Sequence, residues 1–188
     1  RVALQLSIPL TAGGGIRSLD DARAVVRAGA DKITVNTAAV RRPGLITELS
    51  AEFGAQAVVV AIDAKFEETS SNWDVRVRGG RDSAHLDVLD WARRVVERGA
   101  GEILLTSMDR DGTRSGFDVA LTSAVSHAVP VPVIASGGAK TPAHFAQVFS
   151  DGAADAALAA SIFHDQAQSI RVLKEFLLQQ GIEVRFPC

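Results

Sequence analysis

Short apolar runs alternate along the chain with segments whose apolar residues recur every three or four positions, a pattern that predicts strands followed by helices. The runs at 8–11, 33–35, 57–63, 103–107, 131–135 and 156–160 read as strands. The third, AVVVAID, is apolar except for its last residue, as expected of a parallel strand covered on both faces. Between them lie amphipathic patterns. One helix opens on Ser18 and Asp21 at capping-box spacing, turns Leu19, Ala22, Val25 and Val26 to one face and stops at Gly29. A second carries Leu45, Ile46, Leu49 and Phe53, and a third, over 86–98, points Leu86, Leu89, Val95 and Val96 inward. Further helices are predicted over 119–128, from Thr141 and Pro142 onward, and along Ile170, Leu173, Phe176 and Leu177 to Gly181. Residues 1–7 read as the tail of a helix. The stretch 64–84 reads as a long polar connection with a short exposed strand at 73–77, and so long a loop in a compact domain suggests a lid.

The chain also repeats itself. Gly14 and Gly137 are 123 positions apart, as are Gly29 and Gly152; after one inserted residue Asp31 matches Asp155, and 33–40 falls beside 156–163. The segments at the head of each copy, IPLTAGGGI and VPVIASGGA, are strands that deliver consecutive glycines to a helix start. Such a turn lets backbone N–H groups approach an anion, and the helix adds its positive end, so Gly14 and Gly15, and Gly137 and Gly138, are two candidate phosphate cradles. Two cradles at one mouth imply a substrate with a phosphate at each end. A repeat of four strand-helix units, each about 31 residues, requires roughly 250 residues when doubled, the length of a (β/α)8 barrel. The 188 residues hold about six of the eight units, so the expectation is a single (β/α) barrel domain over 1–188, of the half-barrel-duplicated, phosphate-binding type, that lacks its first two units.

Composition narrows the partners. A net charge of −2, without basic runs or aromatic stacking series, argues against nucleic acid. No apolar run approaches the roughly 20 residues of a membrane span. The single cysteine, Cys188, excludes an internal disulfide and suits a reducing cytosol, and no His or Cys spacing asks for a metal or other cofactor.

In a barrel of this kind chemistry gathers where the strands end. Asp63, closing an apolar strand, is a partly desolvated carboxylate suited to general acid-base work, or else a loop cap or a partner for Lys65. The loop from Asp109 to Gly112 either binds phosphate through its backbone or pairs with itself. Asn36, Thr37 and Ser161 stand at matching rim positions, where short polar side chains suit phosphate oxygens or cap strand ends. Where the strands begin, Asp31, Lys32 and Glu102 form either stabilising salt bridges or a gate or docking ring. Trp91 is read as helix packing, and His85, His127, His144 and His164 as bland.

The segments GGGIRS, GADKITVNTAAV, VVVAIDAK, GAGEILLTSMDRDGT, VIASGGA and ADAALAASIFH resemble the cyclase subunit of imidazole glycerol phosphate synthase (HisF), across essentially the whole chain. The resemblance implies an enzyme of histidine biosynthesis that takes ammonia from a glutaminase subunit docked at the barrel floor. It joins the ammonia to a bisphosphate formimino carboxamide ribonucleotide, releasing imidazole glycerol phosphate and an aminoimidazole carboxamide ribotide. It implies that Asp63 is one of two catalytic aspartates. Gly15, Asn36 and Thr37 would hold one phosphate, and Asp111, Gly112, Gly138, Ala160 and Ser161 the other. Lys32 and Glu102 match two of four gate residues, and Asp31 matches a glutaminase contact. The second aspartate and two gate partners belong to the family's first units, so the 188 residues alone are expected to be inactive and to expose unpaired strand edges. The competing expectations are the related phosphoribosyl formimino isomerase, which needs no ammonia, and a barrel that only binds a bisphosphate.

Overall fold

The computed structural model describes residues 2–164 and 169–186; Cys188 lies outside them. The chain gathers into two compact units, Arg1–Leu104 and Leu105–Cys188.

The first unit opens on a single 3-10 turn, Ala3–Gln5, in place of a longer helical tail. Val2 and Leu4 are exposed, and a helix that short has no stability without a packed face. Strand β1, Thr11–Gly13, starts later than the apolar run suggests, because the polar groups of Leu10 are engaged elsewhere. Its N–H donates to the Asp31 carboxylate at 2.8 Å, and its carbonyl accepts from the Asp31 and Lys32 N–H groups at 2.9 and 3.2 Å. Helix α1, Leu19–Arg27, carries the expected reciprocal cap between Ser18 and Asp21. Strand β2, Lys32–Val35, lies parallel to β1 and to β3, Val58–Glu67. Between β2 and β3 the helix is split into α2, Thr37–Arg41, and α3, Gly44–Phe53, by Pro43, which cannot continue a helix begun before it. Leu45, Ile46 and Leu49 of α3 are wholly buried, as are Val58, Val60 and Ile62 of β3.

The stretch read as a lid is mostly sheet. Strand β3 continues four residues past Asp63 and pairs antiparallel with β4, Asn72–Val77, which pairs with β5, Asp82–Asp87. Cross-strand partners share a face. One face therefore carries Asp63, Lys65 and Glu67 opposite Arg76, Asp74 and Asn72, and the other carries Ala64 and Phe66 opposite Val75 and Trp73. Val75 is fully buried, and Trp73 meets Phe66 edge to face with ring centroids 5.8 Å apart, so 73–77 is not an exposed strand. Asp87 caps helix α4, Val88–Glu97, by accepting the Asp90 N–H at 2.9 Å. That cap moves the helix start past Leu86 and makes Val88, Trp91, Ala92 and Val95 its buried face. Strand β6, Glu102–Ser107, follows, and the Gly101 N–H ahead of it donates to the Val58 carbonyl at 3.0 Å.

The second unit holds α5, Val119–Ala128, then β7, Val133–Ser136, α6, Pro142–Ser150, and β8, Ala156–Leu158, with β7 and β8 parallel. A short α7, Ser161–His164, precedes α8, Ile170–Gln179. Its core joins Phe117, Ala135, Phe145, Val148, Ile162, Leu173 and Leu177, with Phe117 and Phe145 edge to face at 5.2 Å. Ile170, expected on the inward face of α8, is exposed, being the first residue of the helix.

The two units reuse one wiring. The Val133 N–H donates to the Asp155 carboxylate at 2.9 Å and its carbonyl accepts the Asp155 N–H at 3.0 Å, as Leu10 does with Asp31. Leu10 and Val133 are 123 positions apart. The inserted residue shifts the left-handed position after the helix: Gly29 has φ 104°, but in the second unit it is Ala153, not Gly152, that has φ 51°.

Candidate functional site

In the first unit, Gly14 and Gly15 have φ values of 87° and 81°, and a Cβ on either would meet open space. Their glycine identity thus serves the left-handed turn, whereas Gly13 serves close approach, since a Cβ there would lie 2.1 Å from the Thr34 side chain. The turn opens into a cavity of about 690 Å³ that also takes in Asn36, Thr37, Arg41 and Arg78. Asn36 and Thr37 are delivered by the end of β2 and the start of α2. Asn36 Nδ2 donates to Asp63 Oδ2 at 2.9 Å, so the candidate carboxylate is bonded to a residue that lines the cavity. Asn36 Oδ1 and Thr34 Oγ1 are buried without hydrogen-bond partners. Both residues line the cavity, so each keeps hydrogen-bonding capacity that a ligand there could use.

The helix that follows the first cradle does not offer its end to an anion. The Asp21 carboxylate accepts the N–H groups of Arg17 and Ser18 at 2.9 and 3.0 Å, and Ser18 Oγ accepts the Asp21 N–H at 3.2 Å. The Arg17 N–H, and after it the Ser18 hydroxyl, hold Asp21 below the usual carboxylate range. The positive pole of α1 is thus occupied by its own cap, and positive charge at this cavity comes from side chains.

In the second unit Asp111, Gly112, Ser136, Gly137, Gly138 and Ser161 line a cavity of about 260 Å³, along with Ala160. Gly137 and Gly138 have φ values of 97° and 93°. A Cβ on Gly138 would lie 2.1 Å from the Gly116 carbonyl, because the loop before α5 is laid directly over it, with the Gly116 N–H donating to the Gly138 carbonyl at 2.8 Å. The loop pairs largely with itself: the Arg110 and Asp111 N–H groups both reach the Ser107 carbonyl, and the Thr113 hydroxyl reaches the Arg110 carbonyl at 2.7 Å. It meets the cavity through Asp111, Gly112 and Arg114. Ser161 opens α7 as Thr37 opens α2, but the place of Asn36 is taken by Ala160, so the amide that bonds Asp63 has no counterpart here. Ser136 and the arginines of the larger cavity escaped the sequence reading; Ser136 stands directly before the glycine pair, which was the available signal.

At the starting ends of β2 and β6, Lys32 and Glu102 form an ion pair, with 29% and 19% of their side chains exposed. Asp31 is engaged with Leu10 as described. Among the described residues no group of three or more His, Cys, Asp or Glu could hold a metal ion, and no helix is long and apolar enough to cross a membrane. Trp91 is packed as expected, 2% exposed, whereas His85 falls in β5.

Residues 1–169 match the sequence family described as "Histidine biosynthesis protein". Among curated proteins, the imidazole glycerol phosphate synthase subunit HisF of Anoxybacillus flavithermus is 58% identical over 185 residues, covering 98% of this chain and 73% of the relative. The HisF subunit of Acidobacterium capsulatum is 60% identical over 188 residues, covering 100% of this chain and 74% of the relative. That of Solibacter usitatus is 60% identical over 185 residues, covering 98% and 72%.

Proposed function

The chain belongs to the histidine biosynthesis proteins and, among them, to the HisF subunits of imidazole glycerol phosphate synthase, and from that premise we propose how its residues divide the work. It is the cyclase subunit, a lyase of histidine biosynthesis. The substrate is a formimino carboxamide ribonucleotide with a phosphate at each end. One phosphate sits against Gly14, Gly15, Asn36 and Thr37, the other against Asp111, Gly112, Gly137, Gly138, Ala160 and Ser161. Asp63, oriented by Asn36, takes and returns protons as the ammonia nitrogen joins the substrate and the imidazole ring closes, releasing the aminoimidazole carboxamide ribotide. A second carboxylate shares this work, as the family resemblance implies. Ammonia comes from a glutaminase subunit that docks near Asp31, and it enters past the Lys32–Glu102 pair, which parts to admit it. The scaffold for this arrangement is a (β/α)8 barrel built from two copies of one half, in a cytosolic enzyme; the shared Leu10–Asp31 and Val133–Asp155 wiring supports the duplication.

The observation that carries the reading is the bond from Asn36, which lines the larger glycine-turned cavity, to Asp63. It is tested in the complete protein with ammonium as the nitrogen source. Asp63→Asn is expected to lower kcat at least about a hundredfold, the scale of general acid-base catalysis, with binding of the bisphosphate changed no more than about threefold. Turnover that survives the substitution, or a loss confined to binding, removes Asp63 from the chemistry.

A further inference from the structure

The larger cavity is ringed by cations that arrive from three separate places in the first unit: Arg17 after β1, Arg41 and Arg42 at the end of α2, and Arg78 in the turn between β4 and β5. Among the described residues no carboxylate lines it. Two of the four are already answered. Arg78 is held by Asp82, Nε to Oδ2 at 2.5 Å and Nη2 to Oδ1 at 3.0 Å, and Arg42 by Glu48 at 2.5 Å. Arg17 makes no ion pair among the described residues, although its charge favours the ionised form of Asp21. Arg41 likewise has no ion pair among the described residues. It lies four residues after Thr37 on α2, hence on the same side of that helix. Thr37 in turn is fixed by the Arg78 N–H, which donates to its Oγ1 at 3.0 Å.

An anion settling at Gly14 and Gly15 meets a turn whose following helix is already capped by Asp21. Neutral backbone groups alone distinguish a phosphate dianion poorly from a hydroxyl or an amide; a free guanidinium distinguishes it well, through paired charge-assisted bonds. We propose that Arg41 is the residue by which this cavity selects a phosphate monoester dianion, acting in ground-state binding and taking no part in the proton transfers. The assignment rests on the reading of the cavity as a phosphate site.

The test uses the complete protein and inorganic phosphate as probe, followed at the backbone amide signals of Gly14 and Gly15, together with KM and kcat for the bisphosphate substrate. Arg41→Gln is expected to weaken phosphate at those amides, and to raise KM, by at least about tenfold, the effect of one lost charge-assisted hydrogen bond. Its kcat stays within about twofold, the mark of uniform binding. Arg41→Lys recovers part of the loss, since it restores charge without the fork, and Arg93→Gln on the outer side of α4 changes neither quantity. If phosphate shifts the two glycine signals equally well in wild type and Arg41→Gln, the cavity stands and the role of Arg41 is refuted. If Arg41→Gln lowers kcat at unchanged KM, the residue acts in the chemistry and the proposal is wrong. If phosphate leaves Gly14 and Gly15 untouched in the wild type, the reading of the cavity falls and Arg41 with it.

Discussion

Asp31 and Asp155 do the same job at the starts of two strands, yet removing them should cost different amounts. Each carboxylate accepts the N–H of the residue that begins its strand, at 2.8 Å from Leu10 and 2.9 Å from Val133. Val133 is fully buried, so in Asp155→Ala its N–H is left without a partner and without water; Leu10 is only half-buried, and solvent can replace the lost carboxylate. A hydrogen bond to a charged group is worth about 1.5–3 kcal/mol when its loss strands the donor, and about 0.5–1 kcal/mol when water takes over. With a urea dependence of about 2 kcal/mol per molar, Asp155→Ala should lower the unfolding midpoint by about 1 M and Asp31→Ala by less than half of that, with the slope unchanged in both. The measurement is a urea titration of the three proteins followed by far-UV circular dichroism. Equal shifts, or a larger one for Asp31→Ala, would refute the argument that burial of the donor sets the penalty.

Two further expectations concern local geometry. Ala153→Gly, at the left-handed position of φ 51°, should raise stability by about 0.5–1 kcal/mol, because relief of Cβ strain exceeds the added chain entropy, and a lower melting temperature in the variant would contradict this. Asp21 is held below its ordinary value in the folded chain, so its contribution to α1 is complete above the unfolded-state value and is lost as pH falls through the folded-state one. Amide exchange at Arg17 and Ser18, corrected for intrinsic rate, should therefore accelerate only at pH below the usual Asp range and lose that dependence in Asp21→Asn.

The features that were legible in the sequence are those a short stretch of chain determines by itself. Consecutive glycines after an apolar run carry their own backbone preference, so both turns were visible, as were the Ser18–Asp21 cap and the apolar strand that carries Asp63, though not its continuation to Glu67. Of the β4–β5 ribbon only the strand at 73–77 was visible, and it was read as exposed, because the pairing puts charged residues on one face, where Asp74, Arg76 and Glu67 answer one another; read in order, those charges imitate a solvated loop. The start of α4 moved for a related reason, since Leu86 fits a helical face but Asp87 is the cap. The cation ring could not be seen because its members lie as far apart as Arg17 and Arg78 and become neighbours only through the fold. Occupation of the α1 terminus by Asp21 was implicit in the capping box but could not be weighed against an anion without distances.

Asn36 and Thr37, adjacent in the chain, tie the mouth of the larger cavity to two ends of a single ribbon: Asn36 holds Asp63 where that ribbon leaves the parallel strands, and Thr37 holds its far turn through Arg78. Replacement of either residue of the Asn36–Thr37 step would therefore be felt at a distance, in the middle of β3 for Asn36 and at the tip of the ribbon for Thr37.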